Sequence, residues 1–562
     1  MPGPGVALGH LPPGPATTET QRRPANRSIA AGNPNPGNRQ VANREAGNRE
    51  IDPPTPAHPP RDPMINQRVA GHVFWSGLEA VAAACLAFAS AFIVARLIGP
   101  AEVGIAAAAV SVHVLLWVTV NALFADAIVQ RAKLDDSTMA SAFWASTAVG
   151  IIASAIQLAA GPLLALLLAD PRLPAMSALL AIPLPLVGAA GAMQGRLTRD
   201  RDYRALAGRT LIGQGFGTLT GVAAALAGAG AWSLVIQQTV TATIGALALL
   251  VRADWKPLRH HSARPTVRAV RELLAVGLPL TASTLVQFSR YRLFALLIGA
   301  TAGAAPLGEV HMAFRLVDTV RELTFTALWR LMLPAMSSRQ HNLIELRAVL
   351  DRCLGLASLV VLPLLGTMAV AVVPLIGLLL GPAWAEVGPS TLPLIALSVW
   401  LFLWFPAGAA LVARGTPGPA LIANLAAVVA MLAGVALMRP ATPFQATGVW
   451  LAAQLITSPY TVAMTARVLH TGHSAIGRLV APIHAGLPAL GVSAASVTAA
   501  VLVPWLLGEP AGPIGLIAAR LSAGAPVCLL GLGFCLGVAR RGALPPRPPP
   551  EAEPLDSIRL IG

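Results

Sequence analysis

The chain has 562 residues, of which 55% are hydrophobic and only 12% charged, with a net charge of +15 and a mean hydropathy of +0.66. Soluble domains carry about a quarter charged residues, so this composition excludes a string of soluble globular domains and places the chain in lipid. The basic excess is almost all arginine, Lys133 and Lys256 being the only lysines, and it falls in short gaps between apolar runs, the pattern of cytoplasmic loops rather than of a nucleic-acid surface.

Residues 1–63 are rich in Pro, Gly, Asn and Arg and have almost nothing apolar to bury, which predicts a disordered tail. The first apolar run begins near His72, behind that tail, and is too long for a signal-peptide core. Apolar stretches then follow at about 73–96, 103–127, 140–168, 174–195, 208–228, 231–252 and 272–299. Seven more lie at about 306–335, 353–379, 386–413, 417–438, 446–467, 477–505 and 511–539. Each is long enough to cross a hydrocarbon core of about 30 Å. The third and ninth are long enough to be tilted or broken, and Pro162, Pro183, Pro185, Pro279, Pro363 and Pro374 predict kinks. Residues 542–562, with the run Pro545-Pro546-Arg547-Pro548, predict a second disordered tail.

Loop charge supports this count. Basic residues collect after every second span: Arg131 and Lys133, then Arg196 to Arg204, Lys256 to Arg268, Arg339 and Arg347, Arg414, Arg467 and Arg478, and Arg540 with Arg541. The intervening gaps are nearly free of them, with Arg96, Arg172 and Arg439 as exceptions. Such alternation predicts that both termini face the cytoplasm.

The chain also repeats itself. Leu97-Ile98-Gly99 ends the first span as Leu297-Ile298-Gly299 ends the seventh, and Trp232 opens the sixth as Trp450 opens the twelfth. The predicted architecture is an all-α integral membrane protein of about fourteen transmembrane helices, with two six-helix lobes related by a parallel repeat and two C-terminal helices. Its parts are a tail (1–63), an N-lobe (64–252), a cytoplasmic linker (253–270), a C-lobe (271–470), the last two spans (471–541) and a tail (542–562).

No enzyme motif is expected to operate. Asp200-Arg201-Asp202 sits in a short basic loop without a nucleotide-binding domain, His260-His261 lacks metal-ligand spacing, and the four cysteines all lie in apolar runs. No metal or cofactor is therefore expected. Ionisable residues at membrane depth are expensive and mark function. The eighth span holds Arg315, Asp318, Arg321 and Glu322 within a sector of about 120°. The seventh holds Ser283, Gln287 and Arg290 on one face, with Arg292 pointing nearly the opposite way. Glu79 in the first span and His113 in the second complete the candidate cavity residues. Arg290 is the first choice for an anion contact, because no acid lies near it in its own span.

Ala127-Ile128-Val129-Gln130-Arg131, Ser141-Ala142-Phe143-Trp144, Met193-Gln194-Gly195-Arg196 and Ala313-Phe314-Arg315-Leu316-Val317-Asp318 resemble segments of bacterial polysaccharide exporters of the Wzx type. These belong to the superfamily that includes multidrug exporters and the lipid II flippase. The resemblance implies alternating access and flipping of an undecaprenyl-diphosphate-linked oligosaccharide across the bacterial inner membrane, for exopolysaccharide or lipopolysaccharide synthesis. It also implies a cationic cavity lined by spans 1, 2, 7 and 8, with membrane lipids and the polymerase and glycosyltransferases of the same pathway as partners. Many relatives carry an acid shortly before the span 7 Leu-Ile-Gly, where this chain has Phe294. Two other readings are a multidrug cation exporter, which calls for an acidic, aromatic cavity, and an integral-membrane polymerase or glycosyltransferase, which calls for a larger outer loop.

Overall fold

The computed structural model describes residues 82–131, 133–252, 264–338, 343–413, 418–468, 475–508 and 512–541. Both expected tails, Glu79 and the His260-His261 pair lie outside the described residues. The first half comprises α1 (Ala82–Ile98), α2 (Pro100–Ala122), α3 (Ala125–Gln130), α4 (Asp136–Leu168), α5 (Leu173–Ala181), α6 (Leu184–Arg199), α7 (Tyr203–Leu226) and α8 (Trp232–Arg252). The second comprises α9 (Val267–Ala302), α10 (Ala304–Ser337), α11 (Leu343–Leu379), α12 (Val387–Ala413), α13 (Gly418–Met438) and α14 (Pro443–Val468). Two more helices follow, α15 (Ala475–Leu507) and α16 (Pro513–Arg541). Every expected apolar stretch coincides, over its described part, with one helix or with two consecutive pieces. Among the described residues, seven segments are long and apolar enough to cross a membrane by length and composition.

The breaks do not fall where length suggested. α4 and α11 run unbroken for 33 and 37 residues. The interruptions are between α2 and α3, at Leu123-Phe124, and between α5 and α6, at Ile182-Pro183. The second has a local cause: Pro183 and Pro185 donate no backbone hydrogen bond to the carbonyls of Leu179 and Ala181 four residues back. Ser154 Oγ of α4 donates to the Ala181 carbonyl at 2.8 Å, and Thr239 Oγ1 of α8 lies 3.5 Å from that of Leu179. The first break contains no proline. There α9 presses on the chain so closely that a Cβ on Gly277 would sit 1.8 Å from the Leu123 carbonyl oxygen.

A half-buried arginine that the sequence pattern had not singled out has the same cause as the α5–α6 break, a proline. Pro374 in α11 frees the carbonyl of Val370, and Arg520 of α16 donates to it through Nη1 at 3.2 Å. A carbonyl without a partner is costly in a helix bundle, so Arg520 is tied to that proline. Arg520→Met is expected to destabilise the detergent-purified protein by about 1–3 kcal/mol. In a Pro374→Ala background, where the substituted residue supplies its own N–H, the loss is expected to shrink. A thermal-unfolding cycle over the four proteins measures that coupling, and equal losses in both backgrounds would dissociate the two residues.

Helix packing repeats between the halves. α7 lies on α8 as α13 lies on α14, α4 on α6 as α11 on α12, and α6 on α8 as α12 on α14. These are two six-helix lobes of like topology, with α15 and α16 packed on α11. The lobes meet through α2 and α10, and α9 leans across to α2, α3 and α4. The repeat register is one helical turn away from the Leu-Ile-Gly match. Gly99 precedes α2 with φ 82°, and its counterpart preceding α10 is Gly303 with φ 94°, not Gly299.

Two of the exceptional arginines have structural partners. Arg96 donates to the Leu378 and Leu379 carbonyls, both at 2.8 Å, at the C-terminus of α11, where a cation is favourable. Arg172 forms a fork with Glu102 at 3.0 Å and meets Asp170 at 2.8 Å, holding the Asp170 carboxyl below its ordinary range. Glu102 also accepts from the Ala231 backbone N–H at 2.7 Å, joining the start of α2 to the α4–α5 and α7–α8 turns.

Candidate functional site

α9 and α10 carry the charged residues toward one another. Arg290, Tyr291 and Arg292 come from α9; His311, Arg315, Asp318, Arg321 and Glu322 come from α10, where positions 311, 315, 318 and 322 recur at helical spacing along one face. His311 belongs to that stripe by spacing alone, so the sequence held the signal although it was not used. The group comprises four arginines against two carboxylates, a formal excess of +2.

The arginines are not equivalent. Arg321 Nη2 pairs with Asp318 at 2.7 Å. Arg290 does not stand unpartnered as its own span suggested. Its Nη1 donates to Asn424 Oδ1 of α13 at 3.0 Å, its guanidinium carbon lies 5.4 Å from the centre of the Trp450 ring of α14, and Asp318 of α10 is within electrostatic reach. Sequence reasoning missed Asn424, which follows Arg290 by 134 residues, and met Trp450 only as a mark of the repeat. The side chains of Ser283 and Gln287 lie outside those described.

Arg292 and Arg315 differ from these two. Arg315 acts electrostatically on Arg292 across the α9–α10 contact, Asp318 is within reach of both and Glu322 of Arg315, but among the described residues neither has a carboxylate within 4 Å. The Arg292 guanidinium sits 5.2 Å from the centre of the Tyr291 ring, and Arg315 Nη2 donates to the Ala87 carbonyl of α1 at 3.2 Å. The Nε of each is buried without a hydrogen-bond partner among the described residues. Beside them, Tyr291 Oη and His311 Nδ1 are 2.9 Å apart. Two neighbouring guanidinium groups, each with an unused donor and no ion-pair contact among the described residues, form a setting that an anion completes: guanidinium forks bind phosphate and carboxylate through charge-assisted hydrogen bonds.

His113 does not join this group. It is fully buried within the first lobe, beside the Leu180 backbone at the α5–α6 break, where α2, α4, α5 and α8 pack together. Glu79 lies outside the described residues.

The two-lobed helical bundle matches solved transporter structures in fold. The lipid II flippase MurJ, in an inward closed conformation, superposes with a TM-score of 0.66 at 10% identity, over 84% of this chain and 98% of that one. An inward-facing multidrug resistance transporter of the MATE family superposes with a TM-score of 0.52 at 15% identity, over 73% of this chain and 95% of that one. The chain belongs to the polysaccharide biosynthesis protein family, whose profile matches residues 93–389, a stretch that contains the whole α9–α10 group. It is 24% identical over 337 residues to the succinoglycan biosynthesis transport protein ExoT of Rhizobium meliloti (strain 1021), covering 60% of this chain and 67% of that protein.

Proposed function

We propose that this protein flips an undecaprenyl-diphosphate-linked oligosaccharide from the cytoplasmic to the outer leaflet of the bacterial inner membrane, by alternating access between its lobes. The observation that carries this reading is the pairing of Arg292 with Arg315, two partly buried guanidinium groups with unpartnered Nε atoms and no carboxylate in contact among the described residues. A diphosphate supplies a negative charge in direct contact and enough oxygens for both forks. Arg290 and Arg321 extend the positive field, and Asp318 and Glu322 limit it, so that the anion is held without being trapped. Polysaccharide biosynthesis is the work of the family, and ExoT is by name a transport protein of succinoglycan biosynthesis. A cation exporter calls for an acidic cavity, which this excess of arginine opposes. His113, enclosed in the first lobe, is left to packing, and Glu79 stays a candidate cavity residue on sequence grounds.

The lobes we assign are residues 64–252 and 271–470, joined by a cytoplasmic linker and followed by two further spans over 471–541, fourteen crossings in all. Deleting the gene should leave lipid-linked repeat units on the cytoplasmic leaflet, and the intact chain should clear them. Repeat units that reach the outer leaflet at the normal rate without this protein would overturn the reading. The topology has its own test. Alkaline phosphatase fused after residue 541 is expected to be inactive and a green fluorescent fusion to glow, since an even number of crossings returns the chain to the cytoplasm. An active phosphatase there means an odd number.

A further inference from the structure

The α7–α8 pair carries a second feature, remote from the arginine group. The two helices touch closely along Gly217 and Gly213, where an added Cβ would lie 2.8 Å from the Gln237 carbonyl oxygen and 2.9 Å from that of Thr241. Toward the start of α7 they splay apart. A Cβ on Gly245 would be 3.8 Å from the Arg209 carbonyl oxygen, and one on Gly208 would meet nothing within 4 Å. The gap is a groove of about 490 Å³ with Gly208 on its floor, Ile212, Leu247 and Val251 among its exposed apolar walls, and Arg209 and Arg252 at the arginine-rich end of both helices. Among the described residues, no acidic one lines it. α7 packs mainly on α8 and only slightly on α6, so the groove opens on the outside of the bundle, toward lipid.

We propose that this groove binds an anionic phospholipid, its phosphate between Arg209 and Arg252 and an acyl chain along the apolar walls. Charge and shape both select that occupant. Basic pockets between transmembrane helices at the cytoplasmic surface bind acidic headgroups, each arginine adding about fivefold in affinity near an anionic surface. An apolar wall facing lipid gains nothing from a headgroup alone, whereas a chain lying in it fills the space the splayed helices leave. The site is independent of the flipping reading, since it lies away from α9 and α10 and needs only a bilayer around the chain.

The test uses the full chain, purified and delipidated in detergent, then titrated with phosphatidylglycerol or phosphatidylethanolamine, with retained lipid read by native mass spectrometry. Phosphatidylglycerol is expected to be retained in preference, and roughly thirtyfold more weakly by the double variant Arg209→Gln/Arg252→Gln. Gly208→Leu, which fills the floor and leaves both charges, should also reduce retention, and Arg209→Lys/Arg252→Lys should preserve most of it. Equal retention of the two lipids by the wild-type chain, or undiminished phosphatidylglycerol on the Gln variant, overturns the proposal. Retention of undecaprenyl diphosphate in place of phosphatidylglycerol, through the same arginines, overturns it as well.

Discussion

Replacing Arg292 and Arg315 together with glutamine is expected to abolish flipping while the protein still folds and inserts. Arg315 acts electrostatically on Arg292, and among the described residues neither has a carboxylate in contact, Asp318 and Glu322 acting on them only at longer range. An anion in contact with both offsets that repulsion and the cost of burying two charges. Removing one charge-assisted contact to phosphate costs about 1.5–3 kcal/mol, roughly ten- to a hundredfold in affinity, so either single substitution should slow flipping by about that factor. Lysine at either position should restore only part of it, because an ammonium keeps the charge and loses the planar fork. Arg290→Ala is expected to be milder than either. Asn424 and Trp450 already engage that guanidinium, so its substitution disturbs a packed contact as much as the field. The readout is the rate at which a fluorescent lipid-linked oligosaccharide crosses reconstituted vesicles, with protein levels quantified. Wild-type rates from the double variant would assign the arginines to helix packing alone.

This order of importance reverses the expectation from sequence, in which Arg290 came first and Arg292 was the milder site. Helical spacing sets Arg290 and Arg292 on nearly opposite sides of α9. It could not say which neighbour each side meets, because Asn424 and Trp450 on one side and His311 and Arg315 on the other arrive from separate helices. His113 is a similar case: its mid-helix position was plain, but its burial against the α5–α6 break depends on how α2, α4, α5 and α8 pack. Helix limits were far more legible. The expected span at 231–252 is α8 within a residue, and that at 417–438 is α13, because apolar runs bounded by Gly, Pro and Arg are local signals. The α5–α6 interruption was also local, written in Pro183 and Pro185. The α2–α3 interruption was not, since it comes with the approach of Gly277 from another helix.

Gly104→Val and Gly308→Val are each expected to shift the protein away from the arrangement seen here and to slow flipping. α2 and α10 cross at their N-terminal ends so closely that a Cβ on Gly104 would lie 1.8 Å from the Ala304 carbonyl oxygen, and one on Gly308 would lie 2.0 Å from that of Pro100. The contact is reciprocal under the internal repeat: Pro100 and Gly104 on one helix meet Ala304 and Gly308 on the other, each pair one turn apart. Small residues four apart let helix backbones approach in membranes, and here they seal the lobes together at one end. That end carries the turns poor in basic residues, so it is the outer end in the topology proposed above. Carrying a lipid-linked substrate outward requires this crossing to open, and resetting the protein requires it to close again. Overpacking a tight contact costs about 1–3 kcal/mol, which biases such an equilibrium roughly five- to 150-fold toward the open end. Cysteines placed at Pro100 and Ala304, which flank the crossing on the two helices, report the state: crosslinking that is ready in the wild-type background should fall in either valine variant, and transport should fall with it. Because Gly104 touches neither arginine, binding of a diphosphate lipid should persist in the variant that no longer cycles. Normal crosslinking and normal transport in both valine variants would mean that this crossing does not govern access at all.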